Sequence, residues 1–297
     1  MPRKDPTLGF LNLLTPGLAN AKTAKDSDAF EAVIMHLSPA NIAHRNTVCA
    51  WSTEGCREAC LNTSGRARVK CKLNAKALAA YRIHSARMAR TRLYWDRPVV
   101  FFDKLLTELG RLDRRAKRRG LKAVARLNGT SDIPWEAVFG QLFKAFPSIQ
   151  FYDYTKGIDR ALDSVRHNSW PSNYHITYSR SELDRGEVSR ALAVGVNVAI
   201  VFADFLPDFY LGAPVIDGNL NDWRFRDPKG VIVGLTAKAR ATRRAALESG
   251  FVVEPCGPCD RHDPHGPSHN GTWLCRNAAK AIAAGGTVAH CTCAACF

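Results

Sequence analysis

The sequence predicts an α/β protein built on a (β/α) barrel, full or partial, with a small cysteine-rich metal-binding module at its C-terminal end. Three observations carry this reading. Short β-branched apolar runs alternate with longer helix-patterned stretches from Val33 to Val253, the pattern of a parallel sheet wound through crossover helices. Polar residues follow strand after strand, as they do where a barrel gathers its functional groups in βα loops. Beyond Val253 the composition turns to Cys, His, Pro and Gly with no helical or strand period.

Taken in order, residues 1–32 are mixed in character and read as loops with a short hairpin. Strands are expected at 33–37, 122–127, 149–154, 174–178, 196–202, 214–216, 231–235 and 251–253, and helices at 72–94, 101–119, 135–146, 158–165, 181–193 and 239–249. Helix ends carry fitting signals. Ser131-Asp132 precedes Pro134 and Glu136, Ser181 opens Ser-Glu-Leu-Asp, and Gly120 and Gly250 follow polar last turns. The barrel is expected to occupy residues 1–253 and the module 254–297. An open doubly wound sheet is the alternative arrangement of the same units.

With 297 residues, 46% of them hydrophobic, the chain has ample material for a core. The N-terminal segment lacks the apolar run of a signal peptide. The longest apolar stretch, residues 194–206, is too short and interrupted to span a bilayer. A cytoplasmic protein without membrane contact is expected. The net charge is +15, and residues 111–122 hold much of it, which suits polyanions such as nucleic acid or nucleotide. A solvated basic helix face is the plainer explanation.

Ten cysteines in a reducing compartment point to metal, not disulfides. Cys49, Cys56 and Cys60 share one loop after the first expected barrel strand, a cradle for an iron–sulfur cluster. Three thiolates leave one iron open to a substrate or cofactor. Structural zinc, with Cys71 as fourth ligand, is the alternative. At the C-terminus, Cys256-x2-Cys259 and Cys293-x2-Cys296 form paired knuckles. Zinc is their default occupant. Cys275, Cys291 and four histidines are left over, so a second ion or second cluster remains open.

Arg126 and Asn128 alternate on one expected strand, with Asp132 just beyond, and Tyr154 and Lys156 alternate on the next. Pointing into a barrel beneath the cysteine loop, these five would suit an anionic ligand and are the candidate catalytic residues. A buried Arg–Asp pair that only orders the barrel is the structural alternative. There is no P-loop, no zinc-protease helix motif and no dinucleotide fingerprint. Residues 217–222 begin like a calcium loop, but Asp222 stands where the turn glycine is required.

The three-cysteine loop after a first barrel strand resembles the radical S-adenosylmethionine enzymes. That resemblance implies a 4Fe–4S cluster whose open iron chelates S-adenosylmethionine. The spacing here is Cys-x6-Cys-x3-Cys, Ala59 precedes the last cysteine, and Asn128-Gly129-Thr130 is the counterpart of the family's glycine-rich turn. A broader match runs from about residue 10 to about 240. Its motifs are Cys49…Gly55-Cys56…Cys60-Leu61…Gly65-Arg66, Arg126–Ile133, Phe151–Lys156 and Val215–Gly218. These look like the bacteriophage gene product 88 family, which implies a phage or prophage origin and the cytoplasm of an infected bacterial host. Together the residues suggest an iron–sulfur enzyme acting on a nucleotide, nucleic acid or small anionic substrate. A nucleic-acid-binding phage protein with purely structural metal sites is the competing reading.

Overall fold

The computed structural model describes residues 11–254, apart from 21, 25–26, 64–66, 68–74 and 238–245, together with 268–269 and 272–273. Chain order begins β1 (Leu14–Pro16), β2 (Phe30–Met35), α1 (Glu54–Glu58), α2 (Ala75–Asp96), α3 (Pro98–Arg119) and β3 (Lys122–Arg126). It continues through α4 (Trp135–Phe139), α5 (Gln141–Ala145), β4 (Gln150–Thr155), α6 (Ile158–Arg166), β5 (Tyr174–Ser179) and α7 (Glu187–Ala193). The last third holds β6 (Val198–Phe202), β7 (Phe209–Tyr210), β8 (Ala213–Asp217), β9 (Ile232–Thr236) and β10 (Val252–Val253).

Every strand expected from an apolar run forms, and together they make a mixed α/β molecule with one ten-stranded sheet. Its order is β1-β2-β3-β4-β5-β6-β9-β8-β7, with β10 also paired to β6. Strands β2 to β6, β9 and β8 run parallel, while β1 and β7 add antiparallel edges. β9 lines one side of β6 along its length, so β5 and β10 share the other side, β5 at residues 198–199 and β10 at 201–202. β5 and β6 therefore diverge toward their C-terminal ends, and β10 fills the gap. The described strands leave the sheet open, with β1 and β7 at its edges.

Alternation sorts the two faces. Val33, Met35, Ala123, Ala125, Phe151, Ile176, Val198, Ile200 and Phe202 pack with Leu105, Leu109 and Leu112 of α3 and with α4, α6 and α7 in the main core. Among the described residues the opposite face carries no α-helix at its centre, only the 3-10 turn Arg224–Arg226. There Ala32, Val124 and Tyr152 are covered by Trp223 and Phe225 from the β8–β9 connection. The same connection is tied to the far edge, where Lys22 Nζ donates to the Gly218 carbonyl at 2.5 Å. It acts as a strap laid across the sheet near the N-terminal ends of the strands.

Three local features differ from expectation. The helix at 135–146 is two short helices, α4 and α5, meeting at Gly140. The helix expected from Ser181 starts at Glu187, because Gly186 takes φ 104° and Asp184 Oδ1 accepts the Val188 N–H. α1 was not expected, since five residues carry no readable period. Gly120 does cap α3, at φ 65°. No helix among the described residues is long and apolar enough to cross a membrane. Cys71 and the C-terminal Cys256, Cys259, Cys275, Cys291, Cys293 and Cys296 lie outside the described residues, as does most of the helix expected at 239–249. The pair Ser268–His269 and Thr272–Trp273 forms a small antiparallel ladder.

Candidate functional site

The chain leaving β2 crosses the C-terminal ends of β3, β4 and β5 before it reaches α2, and it is fastened at each. At β3, the Asp132 N–H donates to the Val48 carbonyl at 2.8 Å, and Cys49 forms a parallel bridge with Asp132. At β4, Trp51 presses on Gly157, where a Cβ would come within 2.7 Å of the indole. At β5, Glu182 accepts the Gly55 N–H at 2.8 Å and the Thr53 hydroxyl at 2.7 Å. Thr53 in turn caps α1 by accepting the Cys56 N–H at 3.3 Å. A small residue at 157 and an acid at 182 thus fix the loop from outside it.

This fastening holds Cys49, Cys56 and Cys60 over the strand ends as free, part-exposed thiols. Burial pushes all three thiols up, Cys49 to about 12. Charge on Cys56 or Cys60 raises Cys49 further, and charge on Cys60 raises Cys56, so the three lie within electrostatic reach of one another. Lys156 acts in the opposite direction on Cys56, and Arg87 on Cys60. The donor set suits a thiophilic metal centre: undisulfided, partly open to solvent, with two cations close by. A bound cation also reverses the cost of charging these thiols, because a coordinating thiol is deprotonated outright. Among the described residues no three His, Cys, Asp or Glu side chains stand close enough to hold a single metal ion.

The five candidate catalytic residues divide into two groups. Arg126 and Tyr154 face the helix-free side of the sheet, as alternation requires. The guanidinium lies 4.7 Å from the Tyr154 ring, and its Nη1 donates to Asp222 Oδ2 at 2.8 Å. Lys156 is on the same side, but its ammonium is consumed by the Ser179 carbonyl, the Ser179 hydroxyl and the Arg180 carbonyl, with the Phe251 ring 4.5 Å away. Burial pulls the Lys156 ammonium down, while Cys56, Asp132 and Glu182 support its charge.

Asn128 and Asp132 are organisers of the loops. β3 ends at Arg126, so alternation does not extend to Asn128. Its Oδ1 accepts from the Ser131 hydroxyl, the Ile133 N–H and the Trp135 indole. Asp132 accepts the Lys156 N–H at 2.8 Å and pairs with Arg160 of α6 at 3.1 Å. Burial pushes the Asp132 carboxyl up despite Arg160. Arg126 and Asp132 thus do not pair with each other: Arg126 takes Asp222, and Asp132 takes Arg160.

Sequence reasoning missed Glu182, Arg160, Asp222, Arg87 and His36. The sequence marks Asp222 only as one of many polar residues after a strand and as a misfit to a calcium loop, and Glu182 only as part of a helix start. Glu182 shares the strand-end cue: it is an acid directly after a strand-end Ser-Arg-Ser, where barrel loops carry functional groups.

Residues 12–254 match the family model described as gene product 88. No curated protein and no solved structure matches the chain.

Proposed function

This chain belongs to the gene product 88 family, and within it we propose an iron–sulfur protein in which Cys49, Cys56 and Cys60 hold a 4Fe–4S cluster at the rim of a partial (β/α) barrel. The open sheet with its strap is read as that partial barrel. The observation that carries the proposal is the three free thiols, clamped over the C-terminal ends of β3, β4 and β5 by Asp132, Gly157 and Glu182. Functional groups collect at this end of a parallel barrel. A cluster distributes its thiolates over separate irons, so the sulfurs need to surround a volume and need not converge on one ion. When bound, such a cluster supplies an open iron position and an electron.

The protein's own residues would then do the following. Arg126 and Tyr154 line the face below the loop and take an anionic substrate, a nucleotide or a small acid. Lys156 holds positive charge beside Cys56, and Asp132 and Asn128 keep the rim in register. S-adenosylmethionine is the proposed ligand of the open iron, and the reaction is enzymatic. Adding it to reduced protein should change the cluster's EPR signal and yield cleavage products; an intact reduced cluster with an unchanged signal refutes that ligand. Zinc, or a second cluster, is assigned to Cys256, Cys259, Cys293 and Cys296.

One observation favours a nucleic-acid-binding protein with structural metal sites. Within the basic run, Arg115 and Arg119 are drawn to Glu31, and Lys117 to Asp113 at 2.7 Å. Arg111, Arg114 and Arg118 remain exposed on one face of α3. If this reading holds, charge reversal there abolishes a steeply salt-dependent binding, whereas Lys156→Ala leaves it intact.

A further inference from the structure

The helix-free face of the sheet stays open at the end where the thiols lie. His36, Arg126, Tyr154 and Lys156 are only half-buried there. Their neighbours on the helix side, Met35, Leu127, Asp153 and Thr155, are sealed, none above 1% exposed. Between the strap and the cysteine loop this face is thus less tightly covered than the helix side.

Two arginines there keep a buried nitrogen without an acceptor. Arg87 of α2 is 9% exposed, and its Nη1 donates to the Asn62 carbonyl at 2.9 Å and to Asn62 Oδ1 at 2.7 Å. Its Nε is buried with no hydrogen-bond partner, and among the described residues no carboxylate pairs with it. Arg126 shares Asp222, yet its Nε is also buried without a partner. Arg90 donates to the His36 carbonyl at 3.3 Å. The positive fields of Arg87, Arg126 and Arg90 all reach the His36 ring, which burial and those charges hold neutral, with its pKa at about 3. Gly129 backs the ring so closely that a Cβ there would lie 2.9 Å from His36 Cδ2. Cys60 supports the Arg87 charge and Asp222 that of Arg126, but a buried guanidinium nitrogen without an acceptor is costly, and the cost is relieved when an anion accepts from it.

We propose that Arg87 and Arg126, each with a buried Nε that lacks an acceptor, bind an oxyanion, a carboxylate or phosphate of the substrate, at this end of the face. The planar guanidinium fork matches both groups. Identifying the anion as part of a substrate rests on the proposed enzymatic function; the binding itself does not require a cluster.

The test is calorimetric titration of the full-length protein with sodium phosphate and, separately, sodium acetate at constant ionic strength. One of the two should bind saturably, and which one does distinguishes phosphate from carboxylate. Arg87→Gln should weaken it at least tenfold, and Arg118→Gln, on the exposed face of α3, should bind as the wild type does. Arg87→Lys keeps the buried charge but not the fork, and should also lose affinity, so the result does not depend on the glutamine variant folding. Equal affinity in wild type and both Arg87 variants, or no saturable binding by the wild type, overturns the assignment. Failure of the cluster reading appears separately, as wild-type protein without iron.

Discussion

Glu182 receives the backbone N–H of Gly55 at 2.8 Å on one carboxylate oxygen and the hydroxyl of Thr53 at 2.7 Å on the other. The residue that holds the cysteine loop thus lies 127 positions away from the glycine it binds. Glu182→Gln keeps the shape but can accept on one oxygen only. We expect severalfold faster alkylation of Cys56 in metal-free protein and poorer iron retention, read by thiol labelling and iron assay.

The clamp has a pH limit. Burial acts to raise the Glu182 carboxyl, but bonds from Thr53, from its own N–H and from Gly55, with the Lys156 charge, outweigh it and hold it below the ordinary range. A depressed acid contributes above its unfolded pKa of roughly 4.3 and is lost as pH falls through the folded value. Cys56 labelling should therefore accelerate on acidification below about pH 4 once corrected for thiolate fraction, and Glu182→Gln should lack that step.

Gly157→Ala places a Cβ within 2.7 Å of Trp51, against a rigid ring. Overpacking of this kind costs about 1–3 kcal/mol, and here it is relieved by moving the loop. The variant should keep its global fold by circular dichroism, shift its tryptophan fluorescence and lose iron.

How much of this was readable depends on the range of the interactions. β2, β3, β6 and β9 announce themselves because strands buried on two faces carry runs of Val, Ile, Ala and Leu, whereas β4 and β5 show through their aromatic and Thr content. β1 and β7, with three and two residues, are too short for any pattern. The cysteine loop was legible as a thiol cluster, but the helix inside it was not, since α1 forms only because Thr53 caps it and Glu182 restrains it. Arg126 and Asp222 are separated by 96 residues, and Asp132 and Arg160 by 28. No local spacing encodes such pairs; only the sheet order brings them together.

Asp222 is 4% exposed and supports both Arg126 and the Tyr152 hydroxyl, which donates at 2.9 Å. Removing one partner of a buried ion pair costs about 3–5 kcal/mol. Asp222→Ala should lower stability by about that amount in urea unfolding, and should also release the strap that Trp223 lays on Phe30.

Asp153 has the opposite sign. Burial raises its carboxyl to about 7, against the Asn128 N–H, Arg126, Arg160 and Tyr174. Between its unfolded value of about 3.9 and its folded value, the native state holds a proton that the unfolded chain lacks, so stability falls as pH rises through that window. Asp153→Asn should narrow the difference in melting temperature between pH 5 and pH 8.

A cluster on Cys49, Cys56 and Cys60 has an analytical signature in bound iron and acid-labile sulfide. Its most direct test is iron, zinc and acid-labile sulfide content, with absorption and EPR spectra, on anaerobically purified wild type beside Cys56→Ala. Stoichiometric iron and sulfide in the wild type, lost in Cys56→Ala while C-terminal metal persists, is the predicted result. Zinc without sulfide in both proteins would contradict it.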